Sequence, residues 1–161
     1  HLQDRDALAA LLGAVAEARA PAGPPVFLKV APDLEPGDAE AIVELALTHG
    51  IDALIVANTT VTRPPLRSHH AKESGGLSGA PLKPLALQRL RDFAQAAGGR
   101  LPLLAAGGIA TGADALERIR AGASLVQLYT AMIYRGPGIA RAIAAEMKTL
   151  LRADGIASLS D

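Results

Sequence analysis

A chain of 161 residues, half of them apolar, has the length and composition to bury the core of one ordinary domain. Sixteen basic residues balance sixteen acidic ones with no long run of either sign, which excludes the electrostatic footprint of a nucleic-acid binder or a polybasic membrane patch. The absence of cysteine excludes a disulfide, a thiolate nucleophile and a Cys-ligated metal, and leaves a small molecule as the expected partner. The first twenty residues place charges ahead of their apolar pattern and carry no cleavage-type sequence, so they do not read as a signal peptide. No stretch approaches the roughly 20 apolar residues of a spanning helix.

Residues 5 to 19 set Leu8, Leu11, Leu12, Val15 and Ala18 at helical spacing, and Pro21, Gly23, Pro24 and Pro25 stop that helix. Val26 to Ala31 is an apolar run broken only by Lys29, the pattern of a strand buried on both faces. Pro36 and Asp38 open a second helix with Ile42, Val43, Leu45 and Ala46 on its inner stripe, closed by Gly50. Asp52 to Ala57 is the next strand. A stretch of about twenty residues rich in Pro, Ser, Gly and His then reaches Gly79 without periodicity, a length that marks a functional or mobile loop. There follow a helix near Leu82 to Ala97, a strand at Pro102 to Ala106, a helix at Gly112 to Ala121, a strand at Ser124 to Leu128, and a helix from Pro137 to about Leu151. This alternation is that of βα units on a parallel sheet, with right-handed crossovers and ligands at the carboxyl ends of the strands. Four strands do not close a barrel, so periodicity leaves both a small doubly wound domain and half of a (β/α)8 barrel open.

Chemistry concentrates just after the strands. A lysine inside an apolar strand calls for an acidic partner or an anionic ligand, unless Lys29 reaches water from the strand end. Gly107-Gly108 runs through Ala110-Thr111-Gly112-Ala113-Asp114 into a helix, so free N–H groups there would meet the positive end of a helix dipole and cradle a phosphate. Tyr129-Thr130 ends the last strand and would share that phosphate; the plainer use of the glycines is a tight βα turn. Asn58-Thr59-Thr60 offers an amide and hydroxyls able to fix a planar polar ring, or equally a helix cap. Gly75-Gly76-Leu77-Ser78-Gly79 is either a hinge or a backbone that lets a ligand approach. His49, His69 and His70 have no third ligand at metal spacing and read as solvated.

Taken together, FLKVAPDL, IDALIVANTT, ESGGLSGAPLKPLAL and PLLAAGGIATGADALERIRAGASLVQLYTAMIYRGPG, spanning about Pro25 to Leu151, resemble the second half of a dihydroorotate dehydrogenase. APDL with QLYTA is similar to class 2, the membrane-associated quinone-using enzymes, more than to the fumarate- or NAD-linked class 1. The resemblance implies an α/β fold in which residues 1–161 are the C-terminal half of one FMN-binding (β/α)8 TIM barrel, strands five to eight with their helices. It implies that Lys29 lies near the flavin's N1 and C2 carbonyl, where a fixed positive charge favours the reduced ring. Gly79 and Gly108 match glycines whose backbone approaches FMN, Tyr129 and Thr130 the pair beside its phosphate, and Asn58 and Thr59 the residues that hydrogen-bond dihydroorotate. Ala57 stands where a threonine or serine is frequent, so only a backbone contact with FMN is expected there.

The implied reaction oxidises dihydroorotate to orotate in pyrimidine (UMP) synthesis: a base takes a proton from C5, hydride leaves C6 for the flavin, and a quinone reoxidises it. The class 2 base is a serine within Asn-x-Ser-Ser-Pro-Asn-Thr, which is absent; Ser68, Ser74, Ser78, Ser124, Ser158 and Ser160 do not match it. His1-Leu-Gln resembles the sequence just downstream, so the catalytic serine and the N-terminal helices that form the quinone tunnel and touch the membrane are expected upstream. The whole enzyme is expected to be peripheral on the cytoplasmic face of the bacterial inner membrane, and the fragment soluble. An inosine monophosphate dehydrogenase would need a cysteine, and a 2-hydroxy-acid oxidase a late-strand histidine, and both are missing. A class 1 enzyme and a non-catalytic phosphate-binding half-barrel are the remaining rivals. With one flank of its sheet unpaired, the chain by itself is expected to be marginally stable or to self-associate on size-exclusion chromatography.

Overall fold

The computed structural model describes residues 4–20 and 23–159. Pro21, expected to help stop the first helix, lies outside the described residues, as do His1-Leu-Gln and Ser160. Helix α1 (Arg5–Ala18) opens on Asp4, whose carboxylate accepts the Asp6 N–H at 3.3 Å, and buries Leu8 and Leu12. Strand β1 (Phe27–Val30) leads into α2 (Asp38–Thr48), which buries Ile42, Val43 and Ala46, and then into β2 (Ala53–Val56). The long loop ends at a 3-10 turn, Ala80–Leu82, that runs into α3 (Lys83–Ala97). Then come β3 (Leu103–Ala106), α4 (Gly112–Arg120), β4 (Leu125–Gln127), α5 (Thr130–Arg135) and α6 (Ile139–Ala153). Helix α5 was not foreseen: its six residues bury none of their side chains, so it has no apolar stripe to betray it.

The four strands pair in the order β1-β2-β3-β4, every pair parallel. A doubly wound sheet reverses its strand order at a switch point, whereas an order that never reverses, with right-handed crossovers, keeps the crossover helices on one side. This is the arrangement of a (β/α)8 barrel, and it decides between the two architectures left open by periodicity. Register partners share a face. Leu54 and Leu103 lie together on the helix side, as do Val30, Val56 and Ala105, all 2% exposed or less. Against them pack Ile42 and Val43 of α2 and Leu90 and Phe93 of α3. Each such fully buried side chain stabilises by roughly 1.5–3 kcal/mol.

The other face departs from expectation. Lys29, Ile55, Leu104 and Leu125 are register partners across the sheet, yet Phe27 is 43% and Leu125 59% exposed. The run Val26 to Ala31 is therefore buried on one face, not two. The cause is geometric: a barrel interior is filled by side chains from strands all around it, and four strands supply only their own share. No helix among the described residues is long and apolar enough to cross a membrane.

Candidate functional site at the carboxyl ends of the strands

All four strands end at one cleft of about 520 Å³, a size within the roughly 300–1,000 Å³ of small-molecule sites. Lys29 reaches it from β1, and Ala57, Asn58 and Thr59 follow β2 into it. Gly79 enters ahead of the 3-10 turn, Gly108 after β3, and Tyr129 and Thr130 after β4. The eight residues that the resemblance assigns to FMN and dihydroorotate thus line the same cavity, whereas Thr60, Gly75, Gly76, Thr111, Gly112 and Asp114 do not. Ser78, from the glycine-rich segment that could let a ligand approach, lines it as well, and so do Gln127 and Arg135, which were not foreseen; Gln127 is two residues before Tyr129, on the strand face that alternation assigns to the cleft. A cavity of similar size on the outer helical layer holds Arg120 and Asp154, which satisfy each other as an ion pair, and lies away from the strand ends.

The Lys29 ammonium donates to Gln127 Oε1 at 3.5 Å. Of the alternatives expected for it, an acidic partner, an anionic ligand or a reach to water, the first is not found among the described residues, where no carboxylate pairs with it, and the side chain is exposed on the uncovered sheet face. Asn58 Oδ1 accepts the Thr59 N–H at 2.9 Å, which leaves the carboxamide NH2 for a ligand. The Val56–Ala57 peptide bond is cis. Thr60, grouped by sequence with Asn58 and Thr59, does something different: it is 2% exposed, and its hydroxyl donates to Asp33 Oδ1 at 2.5 Å. Asp33 Oδ2 also accepts the Val61 N–H at 3.1 Å, so the turn after β1 anchors the turn after β2.

The long loop is closed at its neck. Thr60 and Leu77 exchange both backbone hydrogen bonds, at 3.1 and 2.7 Å. Arg63 draws the two arms together by donating to the carbonyls of Glu73 at 2.8 Å and Gly75 at 2.7 Å. Gly76 packs on Thr59, whose Cβ would be 2.6 Å from any added methyl. At the far side of the cleft the Thr130 hydroxyl donates to Ser78 Oγ at 3.0 Å. Gly79, at φ 73°, sits against the Thr130 methyl, 3.1 Å from where a Cβ would be.

The phosphate cradle expected at the start of α4 takes a different form. The N–H groups of Ala110 and Thr111 donate to Asp114 Oδ2 at 2.9 and 3.0 Å, that of Gly112 to Glu146 Oε2 at 2.5 Å, and that of Asp114 to Thr111 Oγ1 at 3.1 Å. Two carboxylates already occupy the positive end of that helix. What stays open is the turn before it: among the described residues no acceptor takes the N–H of Gly108, and the N–H of Thr130 is free as the first of a helix.

Asp114 also pairs with the Lys83 ammonium. Burial works to raise its pKa, but the Lys83 hydrogen bond, the Ala110 and Thr111 hydrogen bonds and the Lys83 charge together outweigh it, and the carboxyl is held below its usual 3.8. A depressed native pKa means that the ionised form stabilises the fold above the unfolded pKa, and that this contribution is lost as pH falls through the native value. Asp114→Asn is accordingly expected to cost about 1–3 kcal/mol at neutral pH and to flatten the acid limb below about pH 4 in urea titrations. An unchanged acid limb would locate that sensitivity elsewhere.

Consecutive parallel strands with the crossover helices on one side and a ligand-sized cleft at their carboxyl ends define part of a (β/α)8 barrel with its cleft in the usual place for that architecture. The model of the dihydroorotate dehydrogenase family matches residues 1–151, and the chain belongs to that family of oxidoreductases, whose members are generally flavin-dependent. Dihydroorotate dehydrogenase (quinone) of Erythrobacter litoralis is 62% identical over 160 residues, covering 99% of this chain and 47% of that protein. The enzyme of the same name from Sphingopyxis alaskensis is 63% identical over 161 residues, covering 99% and 45%. The crystal structure of the Eimeria tenella dihydroorotate dehydrogenase in complex with ferulenol superposes with a TM-score of 0.91 at 40% identity, over 98% of this chain and 47% of that one. The chain therefore spans about half the length of the relatives it matches.

Proposed function

We propose that residues 1–161 are the C-terminal half of a single FMN-binding barrel in a quinone-linked dihydroorotate dehydrogenase, β1 to β4 being strands five to eight. The observation that carries this reading is the meeting of Lys29, Asn58, Thr59, Gly79, Gly108, Tyr129 and Thr130 in one cleft. The residues present fit a flavin nucleotide: glycine backbone with an open N–H at Gly108, the helix-start N–H of Thr130, and an ammonium on the same cavity wall. When bound, FMN would take the hydride leaving C6 of dihydroorotate and yield its electrons to a quinone.

The chain's own residues bind and orient. The Gly108 and Thr130 N–H groups hold the phosphate, with Tyr129 beside it, and the Gly79 backbone allows close approach. Lys29 sets a positive charge against the pyrimidine edge of the ring, and Ala57 contributes backbone alone. The free carboxamide NH2 of Asn58 and the Thr59 hydroxyl grip the planar polar substrate. The serine that takes the C5 proton belongs to the upstream half, as do the quinone tunnel and the peripheral contact with the cytoplasmic face of the inner membrane.

The test is dihydroorotate oxidation by the complete barrel with a soluble quinone, fumarate or NAD as acceptor. Quinone-supported turnover is expected. Turnover with fumarate or NAD alone would move the protein to class 1, and a folded protein that retains no flavin would leave only a phosphate-binding half-barrel.

A further inference from the structure

Arg118 is fully buried, with no exposed surface, on the inner side of α4. Its Nη2 donates to the Gly107 carbonyl at 3.1 Å and to the Lys83 carbonyl at 2.9 Å, while Nε and Nη1 have no partner among the described residues. A guanidinium taken out of water and left half satisfied is costly, and the nearby carboxylates, Asp114 and Glu117, are both drawn to Lys83. A methionine or leucine would fill the space between α3, α4 and the end of β3 without that cost.

The peptide plane shows what the charge achieves. In a planar trans peptide the C=O of one residue and the N–H of the next point in opposite directions. Arg118 holds the Gly107 carbonyl on the helix side, so the Gly108 N–H points the other way, toward the cleft. Glycines at φ 105° and 73° leave this peptide able to rotate. Rotated, it would present a carbonyl oxygen to the cleft, which repels an anion where the N–H attracts one.

We infer that Arg118 is a positioning residue: it locks the Gly107–Gly108 peptide with its N–H toward the cleft and so tunes the site for the phosphate of a flavin nucleotide. This rests on the reading that the cleft takes such a ligand. The alternative is a purely structural tie between α4, α3 and β3, which would treat all flavins alike.

The experiment titrates FMN and riboflavin, which differ only by the phosphate, into the flavin-free complete barrel as wild type, R118M and R118K, following flavin fluorescence and thermal stability. The wild type is expected to prefer FMN. R118M is expected to bind FMN about tenfold more weakly or worse with riboflavin affinity within about twofold of wild type, and R118K, which keeps one donor and the charge, to recover part of the loss. Should R118M fail to fold, R118K carries the test alone through an intermediate FMN affinity and an unaltered riboflavin affinity. Equal loss for both flavins, or none for either, overturns the role of Arg118 while leaving the flavin-nucleotide reading intact. A wild type that binds the two flavins equally overturns the phosphate site itself, and this inference with it.

Discussion

Gly108→Ala is expected to empty the complete barrel of flavin and to destabilise it by roughly 2–4 kcal/mol. Two effects add. The residue sits at φ 73°, where an L side chain is strained by about 1–2 kcal/mol. The added methyl would also be 2.6 Å from the Lys83 Cα and 2.8 Å from its N, backbone at the start of α3 that cannot swing aside as a flexible side chain would. Relief requires moving either α3 or the turn, and moving the turn displaces the open Gly108 N–H. Gly99→Ala separates the contributions: φ is 77° there and nothing lies within 4 Å of the new methyl, so only the backbone strain of about 1–2 kcal/mol remains and flavin content is unchanged. Thermal denaturation and the visible flavin spectrum of the purified variants read both quantities. A Gly108→Ala protein with full flavin and wild-type stability would remove this turn from the site.

Lys29→Ala should weaken FMN retention or slow flavin reduction by dihydroorotate by about ten- to a hundredfold, the worth of one charge-assisted hydrogen bond in a water-poor site. Among the described residues that line the cleft, no other cation is free to substitute for it. Arg135, the other basic residue on the cavity wall, is committed to the Ala110 carbonyl and lies 3.9 Å from Glu146. The fold should hardly notice, because among the described residues Lys29 has no ion-pair partner and its one hydrogen bond, to Gln127, is long at 3.5 Å. Lys29→Met, which keeps the aliphatic stem, should behave like alanine in flavin reduction if charge is what matters. Unchanged flavin content together with an unchanged reduction rate would exclude Lys29.

The order of elements was legible because it is written locally. Short apolar runs between prolines and glycines became β1 to β4, and the periodic stretches became α1, α2, α3, α4 and α6 within a few residues of their expected bounds. The meeting of the site residues in one cleft was legible for a related reason: in βα units the residues at and just after the carboxyl end of each strand are carried to the same end of the sheet whatever the helices contain, so Lys29, Asn58, Gly108 and Tyr129 had to meet once the strands were parallel and consecutive.

Four things were decided elsewhere. Arg118 lies in an amphipathic helix with charges on both sides of it, Glu117 and Arg120, and nothing local says that this arginine turns inward. Glu146, which caps the first N–H of α4, comes from α6, thirty-four positions away. The tie from Asp33 to Thr60 likewise spans twenty-seven positions. The exposure of Phe27 and Leu125 depends on what faces the sheet and not on the strands themselves. By itself, then, the sequence determined which segments are strands and which residues follow them, because hydrophobic period and turn chemistry act within a few residues. Only the tertiary structure decided which charges are buried, which helix end is already occupied and which face of the sheet is open, because burial and hydrogen-bond satisfaction are settled between segments that only the completed fold brings together.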